Sequence, residues 1–246
     1  MNCKIVIPSH KRHDNVITTK LVNNPIICVE QSQYEIYREY NPDYEIVAHP
    51  DNIVGLIPKR NWMLDHFGDM FMMDDDLMYF NKLYIELGEV SRIKNKELVN
   101  LKIQQLYELA KLTGINLFGF TKNPRPEQLN VFKPYSLSHS ITGCAYGVIK
   151  SENIKWDESF KLKEDYLISC YVKYTERKIL IDRKYNFAQK DTFKSSGGLA
   201  HIRNNDEELR NILRLKKYFG NVISLKKTRK SASLKKEYDV TIKFPY

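Results

Sequence analysis

Neither paired cysteines nor long apolar runs occur in this chain. Its 246 residues include only four cysteines. Cys3, Cys28, Cys144 and Cys170 lie far apart without CxxC spacing. Three of them sit inside apolar runs, so they read as buried free thiols in a reducing compartment, not as disulfides or a zinc site. No apolar run approaches the length of a membrane span. Ile5-Val6-Ile7 before Pro8 is too short for a signal peptide. A soluble, cytoplasmic protein without stable membrane insertion is the expectation. Internal repeats and a convincing linker are also missing, which leaves one catalytic-sized domain. Acidic residues are absent from one stretch altogether, Leu225 to Lys236, where lysines and Arg229 alternate with Ser and Thr.

What is present begins with charge. The formal net charge is +9, a surface field that favours a polyanionic partner such as nucleic acid, an anionic membrane or an acidic glycan. The acid-free stretch suits a segment that tracks phosphates, so residues 1–222 are read as a catalytic domain and 223–246 as a basic C-terminal segment. A hydrophobic content of 42% with 12% aromatics excludes global disorder.

Along the first third of the chain, apolar runs alternate with helical patterns. Strands are expected at 3–8, 25–30, 44–48 and 69–73, and helices at 33–40 and 56–67, with Pro58 tolerated in the first turn of the latter. Such alternation predicts an α/β fold with a largely parallel sheet flanked by helices. Ligands bind outside the carboxyl ends of the strands in sheets of this kind. There the loops carrying Lys11 and Arg12, Asp51 and Asn52, and Asp74-Asp75-Asp76 should converge. Further on, leucine periodicity predicts a helix over 94–113, on Leu98, Leu101, Ile103, Leu106, Leu109 and Leu112. Strands are expected at 115–120 and 142–150, and Glu164-Asp165 at the head of a helix over 160–174.

The sharpest signal is Phe71-Met72-Met73-Asp74-Asp75-Asp76, an apolar strand ending in three carboxylates. Like charges side by side each raise the cost of ionising the next, so a cation is expected among them. Mg2+ or Mn2+, which take one or two carboxylates plus substrate phosphates, fit that role. Asp74 and Asp76 would face opposite ways on a continuing strand, so a turn must bring them together. The other reading is a solvated acidic turn.

In chain order stand Ile7-Pro8-Ser9, Lys59-Arg60-Asn61, the strand into Asp74-Asp75-Asp76, Gly143-Cys144-Ala145 and Glu164-Asp165. This series resembles the GT-A-type nucleotide-sugar-dependent glycosyltransferases over roughly residues 3–201. The resemblance implies a GT-A-like, Rossmann-type fold and a nucleotide-sugar donor, with UDP favoured. It implies metal ligation by Asp74 and Asp76, with His201 completing the shell and His139 as a second candidate. Donor binding would fall to Pro8, Ser9, Lys11, Arg12, Asp51, Arg60, Asp74, Asp75 and Gly143. Arg60 suits either a diphosphate or an aspartate of the motif. Lys190 or Lys194 and Arg203, around Gly197-Gly198, would meet phosphates. Asp165, with Glu164 next, would be the base that takes the acceptor proton in an inverting mechanism; a retaining one needs no such base.

The positive charge narrows the acceptor. The chain also resembles the viral (phage) enzymes that glycosylate hydroxymethylated pyrimidines in DNA. That likeness would give phosphate contacts to the basic tail, Lys122, Arg125 and Lys133, and base stacking to Phe132 or Tyr135. Two other readings stay open at this point: a transferase for a polysaccharide or lipid-linked glycan, and a non-catalytic nucleic-acid-binding protein on the same fold.

Overall fold

The apolar runs of the first third form the parallel half of one sheet in a computed structural model of the chain, which describes residues 3–86, 89–141, 143–189, 204–227 and 238–244. The strands are β1 (Lys4–Pro8), β2 (Ile26–Glu30), β3 (Glu45–His49) and β4 (Met70–Met73). Between them come helices α1 (Tyr34–Tyr40) and α2 (Leu56–Phe67). Then follow β5 (Leu77–Lys82), β6 (Arg92–Ile93), α3 (Lys96–Leu112), β7 (Leu117–Phe120), β8 (Tyr135–Ser136) and β9 (Ala145–Val148). The remainder comprises α4 (Glu164–Thr175), β10 (Leu180–Asp182), β11 (Tyr185–Gln189), α5 (Asn205–Phe219), β12 (Ile223–Lys227) and β13 (Tyr238–Ile242).

The main sheet runs β3-β2-β1-β4-β9-β7-β10-β8. β1 pairs in parallel with both β2 and β4, and β7 with β10, while β9 inserts antiparallel between β4 and β7. The chain reverses its direction of strand addition between β1 and β4, the place where sheets of this kind bind ligands at the strands' carboxyl ends. β4 is buried along its whole length, as expected for a strand covered on both faces. Its residues alternate between two cores. Met70 and Met72 face one with Val6 and helices α2, α4 and α5; Phe71 and Met73 face the other with Ile5, Ile7 and α3. The second core holds an aromatic cluster in which Phe80 and Phe187 lie 4.5 Å apart, fastening the small β11-β5-β6 sheet to the large one.

Two local expectations change. The stripe that α3 buries is Val99, Ile103, Leu106, Tyr107 and Ala110, whereas Leu101 and Leu112 face solvent. Leucine spacing placed the stripe one position off because Tyr107 and Ala110 carry no leucine signal. Ile223 and Val240, beyond the boundary drawn at 222, are buried in the first core, where β12 and β13 pair beside α5. All four cysteines are free thiols, and burial raises the pKa of each, to about 12 for Cys28 and Cys170. Among the described residues no helix is long and apolar enough to cross a membrane.

Candidate active site

Strand β4 ends at Met73 because the chain turns into its carboxylates. The turn is pinned by Thr18, whose hydroxyl donates to Asp74 O at 2.6 Å and accepts from Leu77 N at 2.8 Å. Asp74 N donates to Cys144 O at 2.8 Å, which holds the aspartates against the start of β9. The turn brings Asp74 and Asp76 to one point. The side-chain amide of Gln189, at the end of β11, donates to Asp74 Oδ2 at 3.1 Å and to Asp76 Oδ1 at 2.8 Å. Asp75 points the other way, accepting from Ser9 Oγ at 2.6 Å and pairing with Arg12 Nη1 at 2.5 Å. Arg12 also reaches Asp76 at 3.4 Å.

Asp74 is partly buried at this turn. Dense surrounding atoms push its carboxyl well above the usual range, against the pull of Arg60, yet a third of its side-chain surface (33%) remains open. Burial likewise raises Asp75, against the hydrogen bond from Ser9 and the charge of Arg12. Among the described residues no group of three or more His, Cys, Asp or Glu side chains is arranged to hold a metal ion. The Asp74–Asp76 pair nevertheless fits a hard divalent cation. Two carboxylate oxygens already converge on one electropositive NH2 group, and phosphates and water ordinarily complete such a shell. His201, expected as a ligand, lies outside the described residues, as do Lys190, Lys194 and Arg203.

Helix α2 supplies the support. Lys59, Arg60 and Asn61 are consecutive polar residues, all buried, so each must find a protein partner. Arg60, 1% exposed, donates to Glu164 Oε1 at 3.0 Å and to Gly143 O at 3.3 Å, and stands 3.7 Å from Asp74 Oδ1. Its guanidinium lies 5.2 Å from the Tyr146 ring centre. Of the two partners open to Arg60 in the sequence, the structure places it on the aspartate, with no free face turned to a ligand. Asn61 holds the 156–158 loop by bonds to Trp156 and Glu158. Lys59 donates to Ser9 O at 2.9 Å and pairs with Glu30 at 3.2 Å. Burial opposes ionisation of Glu30, but Lys59 and His10 outweigh it and lower its pKa.

Other expected positions are nearby. Lys11 adopts a left-handed φ of 54° and donates its backbone N–H to Gln33. Asp51 is engaged by Ser32, which donates through both its backbone N–H and its hydroxyl at 2.9 Å. Glu164 and Asp165 open α4, with Lys163 before them at a left-handed φ of 67°. Lys163 is kept in place by a buried ion pair to Glu208 of α5 at 2.5 Å. Asn211 of α5 accepts from the backbone N–H of Lys161 and Leu162. Burial, then the charge of Glu164, pushes Asp165 up to about 6. As a residue Asp165 is only partly buried, and a carboxyl raised this far can exchange a proton near neutral pH.

Sequence reasoning missed Gln189, Glu30 and Glu208. Lys59 stood in the Lys59-Arg60-Asn61 series but without a role of its own. Gln189 at a strand end and Glu208 in an acidic first turn carry no signal.

A model of the TET-associated glycosyltransferase family matches residues 3–198. The chain belongs to that family. The enzyme is therefore a glycosyltransferase. No curated protein matches its sequence. Among solved structures, that of residues 1–349 of S. aureus TarS is similar, with a TM-score of 0.50 and 14% identity over 89% of this chain and 73% of that one. At that identity the likeness speaks for the fold alone, and it agrees with the GT-A-like sheet described above.

A substitution tests how closely this glycosyltransferase places its acid pair. A Cβ added to Gly143 would lie 3.0 Å from Asp165 Oδ2 and 3.2 Å from its Cβ. Gly143→Ala should therefore displace the carboxylate and lower kcat by roughly 10- to 100-fold. The donor KM should stay nearly unchanged. A wild-type kcat would show that Asp165's position is not critical.

Proposed function

We propose that the enzyme moves a sugar from a nucleotide-sugar, with UDP as the favoured nucleotide, to the hydroxymethyl group of a modified pyrimidine in DNA. The carrying observation is Arg60, which stands between Asp74 at the carboxylate turn and Glu164 beside Asp165. This bridge supports a reading in which the turn serves the donor and the head of α4 the acceptor. Ser9, Arg12 and Asp75 would shape the nucleotide end, with Lys11 and Asp51 at its rim.

Asp74 and Asp76 would hold Mg2+ or Mn2+, which supplies charge stabilisation for a departing diphosphate. In the inverting reading, the acceptor oxygen attacks the anomeric carbon as the bond from that carbon to the diphosphate oxygen breaks. The hydroxyl proton passes to Asp165, and the nucleoside diphosphate leaves with the electron pair. Glu164 stays tied to Arg60 and acts as a positioning residue. The net charge of +9 supports a DNA acceptor over a neutral glycan. The infected-cell cytoplasm is the setting proposed with it.

The test incubates the enzyme with Mn2+, a panel of UDP-sugars and duplex DNA with or without hydroxymethylated pyrimidines. UDP release and DNA mass are followed together. A sugar-sized mass gain confined to modified DNA is expected. UDP release with no DNA mass gain would replace the acceptor by a glycan or lipid. No release with any donor would overturn the UDP-sugar assignment.

A further inference from the structure

The face beside the candidate site carries a second arrangement that the catalytic residues do not use. The chain leaves β7 at Phe120, runs through residues 121–141, and returns at Gly143 against Asp165. This excursion is stapled to the turn between β10 and β11. Thr121 N donates to Asp182 O and Tyr185 O, Arg183 N donates to Pro134 O at 2.8 Å, and Arg183 Nη1 reaches Lys133 O at 3.3 Å. Lys184 donates to the Tyr135 hydroxyl at 2.9 Å, with its ammonium 4.4 Å from the ring centre.

The result is one surface of cations around exposed rings. Lys122 and Lys133 are exposed, with Arg183 and Lys184 partly so. Burial, then the charges of Arg183 and Lys122, hold the His139 pKa below its usual value. Asp182 faces inward and is neutralised by Lys184 at 3.4 Å. Phe132 stands 91% exposed, and Val131 (50%), Tyr135 (41%) and Leu137 (51%) are exposed on the same excursion; apolar side chains grouped this way mark a surface that a partner covers.

We propose that this surface is the docking site of the acceptor DNA strand, with Lys122, Lys133 and Arg183 on its phosphates and Phe132 as the platform on which a base stacks. Charge complementarity selects the occupant. A polyanion with flat apolar faces meets both the cations and the bare ring, whereas an apolar protein partner would leave the cations unpaired. The same excursion ends at Gly143 against Asp165, so the surface and the carboxylate assigned as base belong to one connected segment of the chain, and a target base has to leave the stack to reach that carboxylate. The inference rests on the DNA-acceptor reading and adds to it where the strand sits.

The experiment measures binding of a 2-aminopurine-labelled DNA across a salt series, without donor. The proteins are wild type, Lys122→Gln/Lys133→Gln, Phe132→Ala, and the charge-conserving Lys122→Arg/Lys133→Arg, each checked for an unchanged melting temperature. The Gln pair should bind at least tenfold more weakly at low salt and flatten the log K against log salt slope by roughly 1.5–2. The Arg pair should restore both. Phe132→Ala should abolish the fluorescence quench and weaken binding roughly tenfold. Wild-type binding that persists with the same slope in the Gln pair would overturn this surface and leave the DNA reading standing. Failure of the wild-type protein to bind any DNA would overturn both.

Discussion

Asp165→Asn should cut turnover by roughly 10²- to 10⁴-fold and, at neutral pH, make the protein more stable. The two effects have one cause. In the folded protein burial raises this carboxyl from 3.8 to about 6, so the ionised form is the one the fold disfavours. Wild-type stability should therefore fall as pH rises from about 4 through about 6, and Asn, which cannot ionise, should escape that loss. By linkage the gain at pH 7 is of order 1–3 kcal/mol, a melting-temperature increase of several degrees. Activity has the opposite sign. A base must be ionised to accept a proton, so wild-type kcat should climb through about pH 6 and level off above it, and the variant should lose that limb. Calorimetry and a pH–rate profile separate the outcomes. A retained rate with a flat profile would remove Asp165 as base and favour the retaining route.

Arg60→Met is the second large effect. It strands Glu164 in a buried setting without its cation, the situation that costs about 3–5 kcal/mol, and removes the cation beside the partly open Asp74. The melting temperature should drop by roughly 10 °C. Stability alone does not isolate function, so the double change Arg60→Met/Glu164→Gln is the informative partner. Removing both charges should recover much of the lost stability, as replacement of a buried pair often does. Activity should stay low, because nothing then fixes the carboxylate turn relative to α4. A double variant that regains both would reduce Arg60 to a structural role.

How much of this was legible in the chain depends on the kind of residue. Met70–Met73 announced a buried strand because four apolar residues in a row suit only a doubly covered position. The carboxylates after it announced a site because nothing in folding calls for three together. The convergence of Asp74 and Asp76 required a turn, and Thr18, 56 residues away from Asp74 in sequence, is what pins it. Such distant partners leave no local pattern. Arg60 was visible as a cation near the site, but its burial was not, since a helix charge is ordinarily solvated. α5 was legible but not among the expected elements: Asn204 caps an acidic first turn, lysines occupy the last turn, and Ile212 and Leu215 lie buried between them. The basic segment read as one tail, yet Ile223 and Val240 show its apolar ends to be part of the core.

The Lys163–Glu208 pair bears on where this enzyme may be cut. Likeness to the family extends to residue 198, and a truncation or chimera planned from that border would discard α5. Lys163 would then keep a backbone shape that non-glycine residues resist while losing the carboxylate that holds it there, and the 161–162 backbone would lose Asn211. The loop delivering Glu164 and Asp165 would be left without its brace, although every residue of the recognisable motifs remained. The smallest portable unit of this glycosyltransferase is longer than its sequence signature, because α5 braces from outside that signature the loop that carries Glu164 and Asp165.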